Sequence, residues 1–348
     1  MSKITKTLFS DTEVEICEGS KKDNYIMAIE SSCDETACAI VKNGREVIAN
    51  IVASQIDIHK EYGGVIPEIA AREHLNSINP VIEEALIQSG LKMEDITAFA
   101  GTTGPGLVGC LLVGLNAAKT LALVHDKPFI GVNHLKAHIC ANYIDTNLKP
   151  PYIALLISGG HTQIIEVTSH KSINIIGETI DDAVGEAFDK VARLLGLPYP
   201  GGVKLDKMSQ NGNPNAFKFP ISKVDGFDFS FSGLKTAALR EIKKMEGTQF
   251  SKEDFCASFQ SCIAQTLLKK VKLALEKYPY NQIVLAGGVA ANSEIRRVFL
   301  NLKNEGYNIF IPQLKYCTDN ASMVASCAYF FEDILDSINV EVFSRFKH

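Results

Sequence analysis

An α/β protein of two similar lobes is what this sequence predicts, on three observations: its length, its alternation of apolar strands with helical spacing, and a motif that occurs twice. The chain has 348 residues, and at ~150 residues per domain that is roughly two domains, enough to bury a large core. An apolar run at Tyr25–Glu30 breaks at the polar turn Ser31-Ser32-Cys33-Asp34-Glu35 and resumes over residues 36–41, the pattern of a hairpin with a polar tip. The pattern returns 127 residues later: Tyr152–Ile157, the turn Ser158-Gly159-Gly160-His161 and the run 162–167 place Tyr25 on Tyr152 and Ser31 on Ser158. Such repetition predicts an internal duplication. Tips of small residues let backbone amides approach phosphate oxygens closely, and two tips facing each other would clasp a nucleotide.

The other elements follow in order. Ile69, Leu75, Ile78, Ile82 and Leu86 have helical spacing within 67–89. Residues 96–103 form a buried strand that runs into Gly104-Pro105-Gly106, and a Gly- and Ala-rich helix suited to close packing follows over 107–124. Residues 128–132 are another buried strand. Gln282–Ala286 is a buried strand, Gly287-Gly288 a turn, and Asn292-Ser293 the N-cap of a helix containing Arg296 and Arg297. That junction presents unpaired amides and the positive end of a helix dipole, which suits an adenine nucleotide; Gly-Gly after a strand also serves purely steric ends.

Composition excludes whole classes. With 46% hydrophobic and 22% charged residues the chain is neither collagenous, disordered nor a disulfide scaffold. Nine cysteines without a CxxC pair point to a reducing, cytoplasmic setting. A net charge of -5 argues against a protein that wraps nucleic acid with its whole surface. Residues 235–303, however, carry twelve basic and six acidic residues, a local +6 that leaves -11 elsewhere. Lys243, Lys244, Lys269, Lys270, Lys272, Arg296 and Arg297 are then candidates for a phosphate-facing surface, against the alternative of solvated helix faces. The most apolar long stretch, 107–124, is interrupted by Asn116 and Lys119, so no membrane span is expected. Residues 1–24 mix Lys, Asp and Glu and are read as a polar extension rather than a targeting signal.

His134 and His138 stand four residues apart, on one face of a helix, so both could ligate one metal. The segment is not HExxH, because Leu135 replaces the glutamate base. Asp319, ahead of a helical run from Ala321, is the best third ligand; its other reading is an N-cap. Two histidines and a carboxylate with open positions suit Fe(II), with Zn(II) the second choice. Asp182, Glu186 and Asp189 are expected on one helix face, either as a solvated helix start or, with the stiff turn Pro198-Tyr199-Pro200-Gly201-Gly202, as part of a ligand site. Cys33 has no base beside it in sequence, and Ser158 lacks the GxSxG context, so neither is expected to act as a nucleophile.

Ten motifs in order resemble the bacterial tRNA threonylcarbamoyladenosine transferase family, TsaD. They are Ile29-Glu30-Ser31-Ser32-Cys33-Asp34-Glu35-Thr36, Gly63-Gly64-Val65-Ile66-Pro67-Glu68, Thr103-Gly104-Pro105-Gly106-Leu107, Asn133-His134-Leu135-Lys136-Ala137-His138, Ser158-Gly159-Gly160-His161-Thr162, residues 181–190, Tyr199-Pro200-Gly201-Gly202, residues 228–236, Ala286-Gly287-Gly288-Val289-Ala290-Ala291-Asn292 and Cys317-Thr318-Asp319-Asn320. The Ser-Gly-Leu-Lys-Thr form around Lys235 is closer to the bacterial and organellar branch than to the archaeal one.

The resemblance spans residues 25–335 and implies the two-lobed fold of actin, Hsp70 and sugar kinases (ASKHA). It implies a lobe over 25–150 that carries the two histidines, a lobe over 151–335 that carries the nucleotide and substrate site, and a tail over 336–348. The activity it implies is transfer of a threonylcarbamoyl group from threonylcarbamoyl-AMP to N6 of the adenosine 3′ of the anticodon, in tRNAs reading codons that begin with A. Implied metal ligands are His134, His138 and Asp319. Implied substrate contacts are Leu156, Ile157, Ser158, Gly159, Gly160, Asp189, Gly202, Asp206 and Asn292. Many relatives have Glu-Gly where this chain has Lys136-Ala137, which keeps the ligands and changes a charge close to them. Implied partners, besides tRNA, are a TsaB-like paralogue and a TsaE-like ATPase. The rival readings are an ATP-dependent small-molecule kinase of the same fold and a nucleotide-responsive scaffold.

Overall fold

The structure, a computed structural model, describes residues 23–245, 250–331 and 339–344, so most of the expected N-terminal extension and much of the expected tail lie outside the described residues. The chain begins with β1 (Tyr25–Glu30) and β2 (Glu35–Lys42), antiparallel across the tip at 31–34 and buried along nearly their whole length. Their unbroken apolar runs are what strands covered on both faces require. β3 (Glu46–Ser54) adds a half-exposed antiparallel edge. A short α1 (Ile56–Lys60) leads to α2 (Pro67–Ser89), which has proline at its first position and ends on Gly90 at φ 66°. Both devices are expected of helix ends, and they give α2 the bounds its spacing predicts. β4 (Ala98–Gly104), α3 (Val108–Val124) and β5 (Phe129–Asn133) complete the first sheet, with β1, β4 and β5 parallel in the order β3-β2-β1-β4-β5.

After α4 (His134–Cys140) the pattern repeats. β6 (Tyr152–Ile157), β7 (Thr162–Ser169) and β8 (Ser172–Glu178) form the antiparallel part of a second sheet. Helices α5 (Val184–Leu194), α6 (Gly201–Ser209), α7 (Ser232–Lys244) and α8 (Lys252–Lys277) precede β9 (Gln282–Ala286). Then come α9 (Ser293–Leu300), β10 (Asn308–Phe310) and α10 (Ala321–Phe330). The second sheet runs β10-β9-β6-β7-β8, with β6, β9 and β10 parallel. Strand for strand this is the order of the first sheet, and the 127-residue offset carries β1 onto β6 and β2 onto β7 without a gap.

Among the described residues, three large buried clusters fill the layers. One lies between the first sheet and α2 and α3, and one between the second sheet and α5–α9. The third lies between the sheets, where Ala28 and Ala100 of the first and Ala154 and Leu156 of the second share a core with α4 and α10. That central layer positions the functional residues, because it packs the helix bearing His134 and His138 against the helix that follows Asp319. Within 339–344, Val340 and Val342 pack on the first sheet's core and the Phe343 amide donates to the Thr103 carbonyl at 3.0 Å. Among the described residues no helix is long and apolar enough to cross a membrane.

The small residues of α3 serve close approach, as their number suggests. The Gly114 amide donates to Ser31 Oγ at 3.1 Å, and that hydroxyl donates to the Cys110 carbonyl at 2.8 Å. A Cβ at Gly114 would stand 2.3 Å from Ser31 Oγ, whereas one at Gly233 on α7 would meet nothing. Gly114→Ala is therefore expected to destabilise the fold by about 1–3 kcal/mol despite the better helix former, through overpacking against the tip. Gly233→Ala is expected to stabilise by about 0.4–1 kcal/mol. Thermal or urea unfolding of both variants checks the opposite signs.

Candidate metal centre and cleft

β5 passes into α4 without a connecting loop because Asn133 caps the helix, its Oδ1 accepting from the amides of Leu135 at 2.9 Å and Lys136 at 3.1 Å. The cap places His134 at the first helical position and His138 one turn on, their rings 4.7 Å apart. At α10 the cap is Asn320, which accepts from the Met323 amide at 3.0 Å. Asp319, one residue earlier, is thereby left to the histidines rather than used as the cap. Its Oδ1 lies 3.2 Å from His138 Nε2 and 3.6 Å from His134 Nε2, and one ligand atom from each of the three residues falls within 4.8 Å of the others.

Behind His134 stands Glu30, the last residue of β1 and wholly buried. Its Oε1 accepts from the Ser32 amide at 2.6 Å, and its Oε2 accepts from Thr102 Oγ1 at 2.5 Å and lies 3.4 Å from His134 Nδ1. Burial disfavours charge on His134, but Asp319 and Glu30 outweigh it and push the imidazole up to about 9. Burial likewise opposes the Asp319 carboxylate, and His134 and His138 hold it down to about 2. Without a metal, then, a proton on His134 neutralises part of a buried acidic site. The residues fit a divalent ion: two imidazole nitrogens converge on one carboxylate oxygen, and a second carboxylate orients His134 from its far side. His138 Nδ1 is buried and has no hydrogen-bond partner among the described residues, so packing between α4 and α10 sets that ring.

Two tips flank the centre. On the first, burial, then Asp34 and Asp319, push the Cys33 thiol far above its ordinary range, which agrees with its exclusion as a nucleophile. Burial, then Asp319 and Asp34, push Glu35 up to about 10, so its protonated carboxyl is bonded to Asp34. On the second tip, Leu156 and Ile157 are buried at the end of β6, Ser158 Oγ accepts from the His161 amide at 3.1 Å, and Gly159 and Gly160 are exposed and face open space. His161 is held in its neutral form by burial and by His134 and His138, which places this tip beside the metal residues. Gly287, at φ 88°, packs on the Ile157 carbonyl, where a Cβ would be 2.4 Å away. The steric reading of that glycine is therefore correct, while Gly288 remains open.

The remaining expected substrate residues link helices. Asp189 Oδ1 accepts from the Gly202 amide at 2.9 Å, and Asp206 accepts from Ser293 Oγ at 2.6 Å. Asn292 caps α9 through the Ile295 amide and donates to Gln260 Oε1 at 3.1 Å. Tyr199 rises through burial and the nearby carboxylates Asp34 and Asp189, so it stands between the two sides.

One expectation needs correction, and one pair of alternatives is narrowed. Asp182, Glu186 and Asp189 do not form one helix face, because α5 starts only at Val184. Asp182 pairs with Lys190 and Lys235, Glu186 with Lys190, and Asp189 turns to α6. The basic surface is mostly consumed as well. Lys244, Lys272 and Arg297 pair with Glu241, Glu305 and Glu294, Lys270 donates to the carbonyls of Val224 and Gly226, and Arg296 donates to those of Ala290 and Pro312. These bonds engage five of the seven candidates within the chain and favour the alternative of internally paired faces. Glu30 is the residue at this centre that motif spacing does not single out; its one signal is a carboxylate closing an apolar strand directly before Ser31-Ser32.

The family model described as TsaD, tRNA N6-adenosine threonylcarbamoyltransferase, matches residues 46–326. A relative from Clostridium perfringens (strain 13 / Type A) named tRNA N6-adenosine threonylcarbamoyltransferase is 51% identical over 311 residues, 88% of this chain and 92% of its own. One of the same name from Thermosipho africanus is 50% identical over 308 residues, 87% and 93% of the two chains. Full-length HypF in its phosphate- and nucleotide-bound form is 17% identical over 89% of this chain and 46% of its own, with TM-score 0.59. T. kodakarensis HypF, 14% identical over 88% and 47%, gives 0.62. At such identity the two structures speak for the fold alone, the two-lobed actin-like architecture. Sequence likeness at this level across nearly the whole chain decides the rest: the chain belongs to the tRNA N6-adenosine threonylcarbamoyltransferase family.

Proposed function

We propose that the protein transfers the threonylcarbamoyl group of threonylcarbamoyl-AMP to N6 of the adenosine 3′-adjacent to the anticodon, in tRNAs that read codons beginning with A. The observation that carries this is the convergence of His134, His138 and Asp319 between two small-residue tips in a chain of this family. In the transfer the N6–carbon bond forms, the bond from the carbamoyl carbon to phosphate oxygen breaks, AMP leaves with that electron pair, and N6 loses a proton. An exocyclic amine is a poor nucleophile, so placement and polarisation must do most of the work.

His134, His138 and Asp319 would hold one divalent ion, Fe(II) first and Zn(II) second, which supplies Lewis-acid polarisation of the carbonyl. Glu30 keeps His134 aimed. The open amides at Gly159 and Gly160, with Leu156, Ile157 and Ser158, would receive the phosphate side of the substrate, while Asn292 and Asp206, which already engage the first amides of α9, would supply polar contacts to the rest of it. Asp189 and Gly202 would shape the wall beside Tyr199, and the Asp34 carboxylate, rather than the protonated Glu35, would take the N6 proton. Residues 25–150 would supply the histidines and 151–335 most of the substrate wall. The partners proposed are tRNA, a TsaB-like paralogue and a TsaE-like ATPase, in the cytoplasm. A small-molecule kinase of the same fold would have no use for the paired histidines.

His138→Ala is expected to abolish modified nucleoside in tRNA while leaving the fold intact, as nucleoside analysis and circular dichroism together would record; full transfer by a metal-free variant would remove the metal from the reaction. Glu30→Gln, which removes the charge behind His134, is expected to weaken metal binding by about 10–100-fold. Calorimetric titration with Fe(II) or Zn(II) measures that. The pH dependence of the metal-free protein follows from the two shifts. His134 is raised from 6.5 to about 9, so its contribution to stability is complete below pH 6.5 and lost as pH rises through 9. Asp319 is lowered from 3.8 to about 2, so its contribution is complete above pH 3.8 and lost as pH falls through 2. Metal must then displace the His134 proton at pH 7, and calorimetry in buffers of different ionisation enthalpy should find about one proton released per ion, falling away above pH 9.

A further inference from the structure

The first tip is held from inside its lobe at three consecutive carbonyls. Ser32 O accepts from the Leu107 amide at 2.8 Å, Cys33 O from His74 Nε2 at 3.0 Å, and Asp34 O from the Gln55 amide at 3.0 Å. Two of these donors are main-chain groups. His74, wholly buried on α2, is the one side chain among them. Its second nitrogen, Nδ1, lies 2.7 Å from Thr36 Oγ1, two residues past the tip on β2.

A carbonyl can only accept, so His74 Nε2 carries the proton, and in the neutral ring Nδ1 must then accept from the Thr36 hydroxyl. Burial disfavours the charged ring. The consequence for the tip is geometric. In a trans peptide the C=O and the following N–H point in opposite directions. With the Ser32 and Cys33 carbonyls drawn into the lobe, the Cys33 and Asp34 amides turn outward, and no hydrogen bond to either is recorded among the described residues. The same tip touches the metal centre, since Ser32 Oγ lies 3.2 Å from His134 Nδ1.

We propose that His74 is a positioning residue: through the Cys33 carbonyl it fixes the Cys33–Asp34 peptide, so that the Asp34 amide and carboxylate face the reacting groups in the cleft. Its kinetic consequence rests on the transfer reading above; its structural consequence does not. His74 touches no substrate itself. It acts by removing the freedom of a peptide that would otherwise rotate, and pre-orientation of this kind appears in turnover rather than in substrate affinity.

The test uses the full chain with its partners, threonylcarbamoyl-AMP and tRNA. His74→Phe removes both bonds at similar volume. His74→Gln restores a donor near the Nε2 position, and Thr36→Val leaves the ring but removes the hydroxyl that fixes its tautomer. The expected result is a fall in kcat of about tenfold or more for His74→Phe with KM for tRNA within about twofold, substantial recovery in His74→Gln, and a smaller loss in Thr36→Val. A His74→Phe variant with lowered Tm and unchanged kcat would reduce the residue to a packing role and overturn the proposal. Nitrogen-15 spectroscopy of the imidazole at pH 7 should find the proton on Nε2 alone, and amide exchange of residues 31–35 should be faster in His74→Phe than in His74→Gln. A proton on Nδ1, or equal exchange, also overturns it. If no protein, wild type included, transfers the group, the transfer reading fails, while tautomer and exchange still decide the role of His74.

Discussion

Glu30 has none of its surface exposed, and a carboxylate in that position is strongly destabilising unless its oxygens are matched by donors and a positive charge. The matching groups come from three directions: the Ser32 amide on the tip, Thr102 on β4, and His134 at the start of α4. Meeting that one need fixes the strand end, the turn after it, the neighbouring strand and the helix that bears the candidate metal ligands relative to one another. Burial alone would keep Glu30 neutral; His134 reverses this and holds it ionised. The buried pair is thus less a source of net stability than a device for orienting one imidazole.

The duplication makes this asymmetry plain. Both halves build the same five-stranded sheet around a hairpin with a small-residue tip, yet the position of Glu30 is taken by Ile157 in the second copy. One tip is tied to His134 of the candidate metal centre through a carboxylate, and the other keeps exposed glycines that face open space. On the proposed reading, two copies of one element would thereby be divided between holding the electrophile's activator and holding the anionic leaving group. The layer between the sheets lets the halves cooperate, since α4 from the first and the residue ahead of α10 from the second meet there.

Much of this is legible in the sequence. Strands buried on both faces read as unbroken apolar runs, which is why β1, β6 and β9 stand out. α2 carries its own punctuation in Pro67 and Gly90, and the two histidines advertise themselves by a one-turn spacing. What escapes the sequence depends on partners distant in the chain. Nothing near Asp182 says that α5 starts two residues later or that Lys190 and Lys235 reach back to it. Local charge over 235–303 counts residues without showing that Glu305, or the carbonyls of Val224 and Gly226, absorb them. Glu30 is the sharpest case, because its role is defined by a residue 104 positions away.

The claim at the centre is that one ion, bound by two imidazoles and one carboxylate between the tips, is required for transfer to N6 of adenosine. It is tested most directly by stripping the assembled protein of metal, adding Fe(II) back in steps, and measuring both N6-threonylcarbamoyl-adenosine in tRNA and the ion's coordination by X-ray absorption. The expected result is product that rises in proportion to bound metal and saturates at one ion per chain, with two nitrogen neighbours from imidazole and an oxygen neighbour. Undiminished product in the stripped protein, or an ion bound without imidazole, would contradict it.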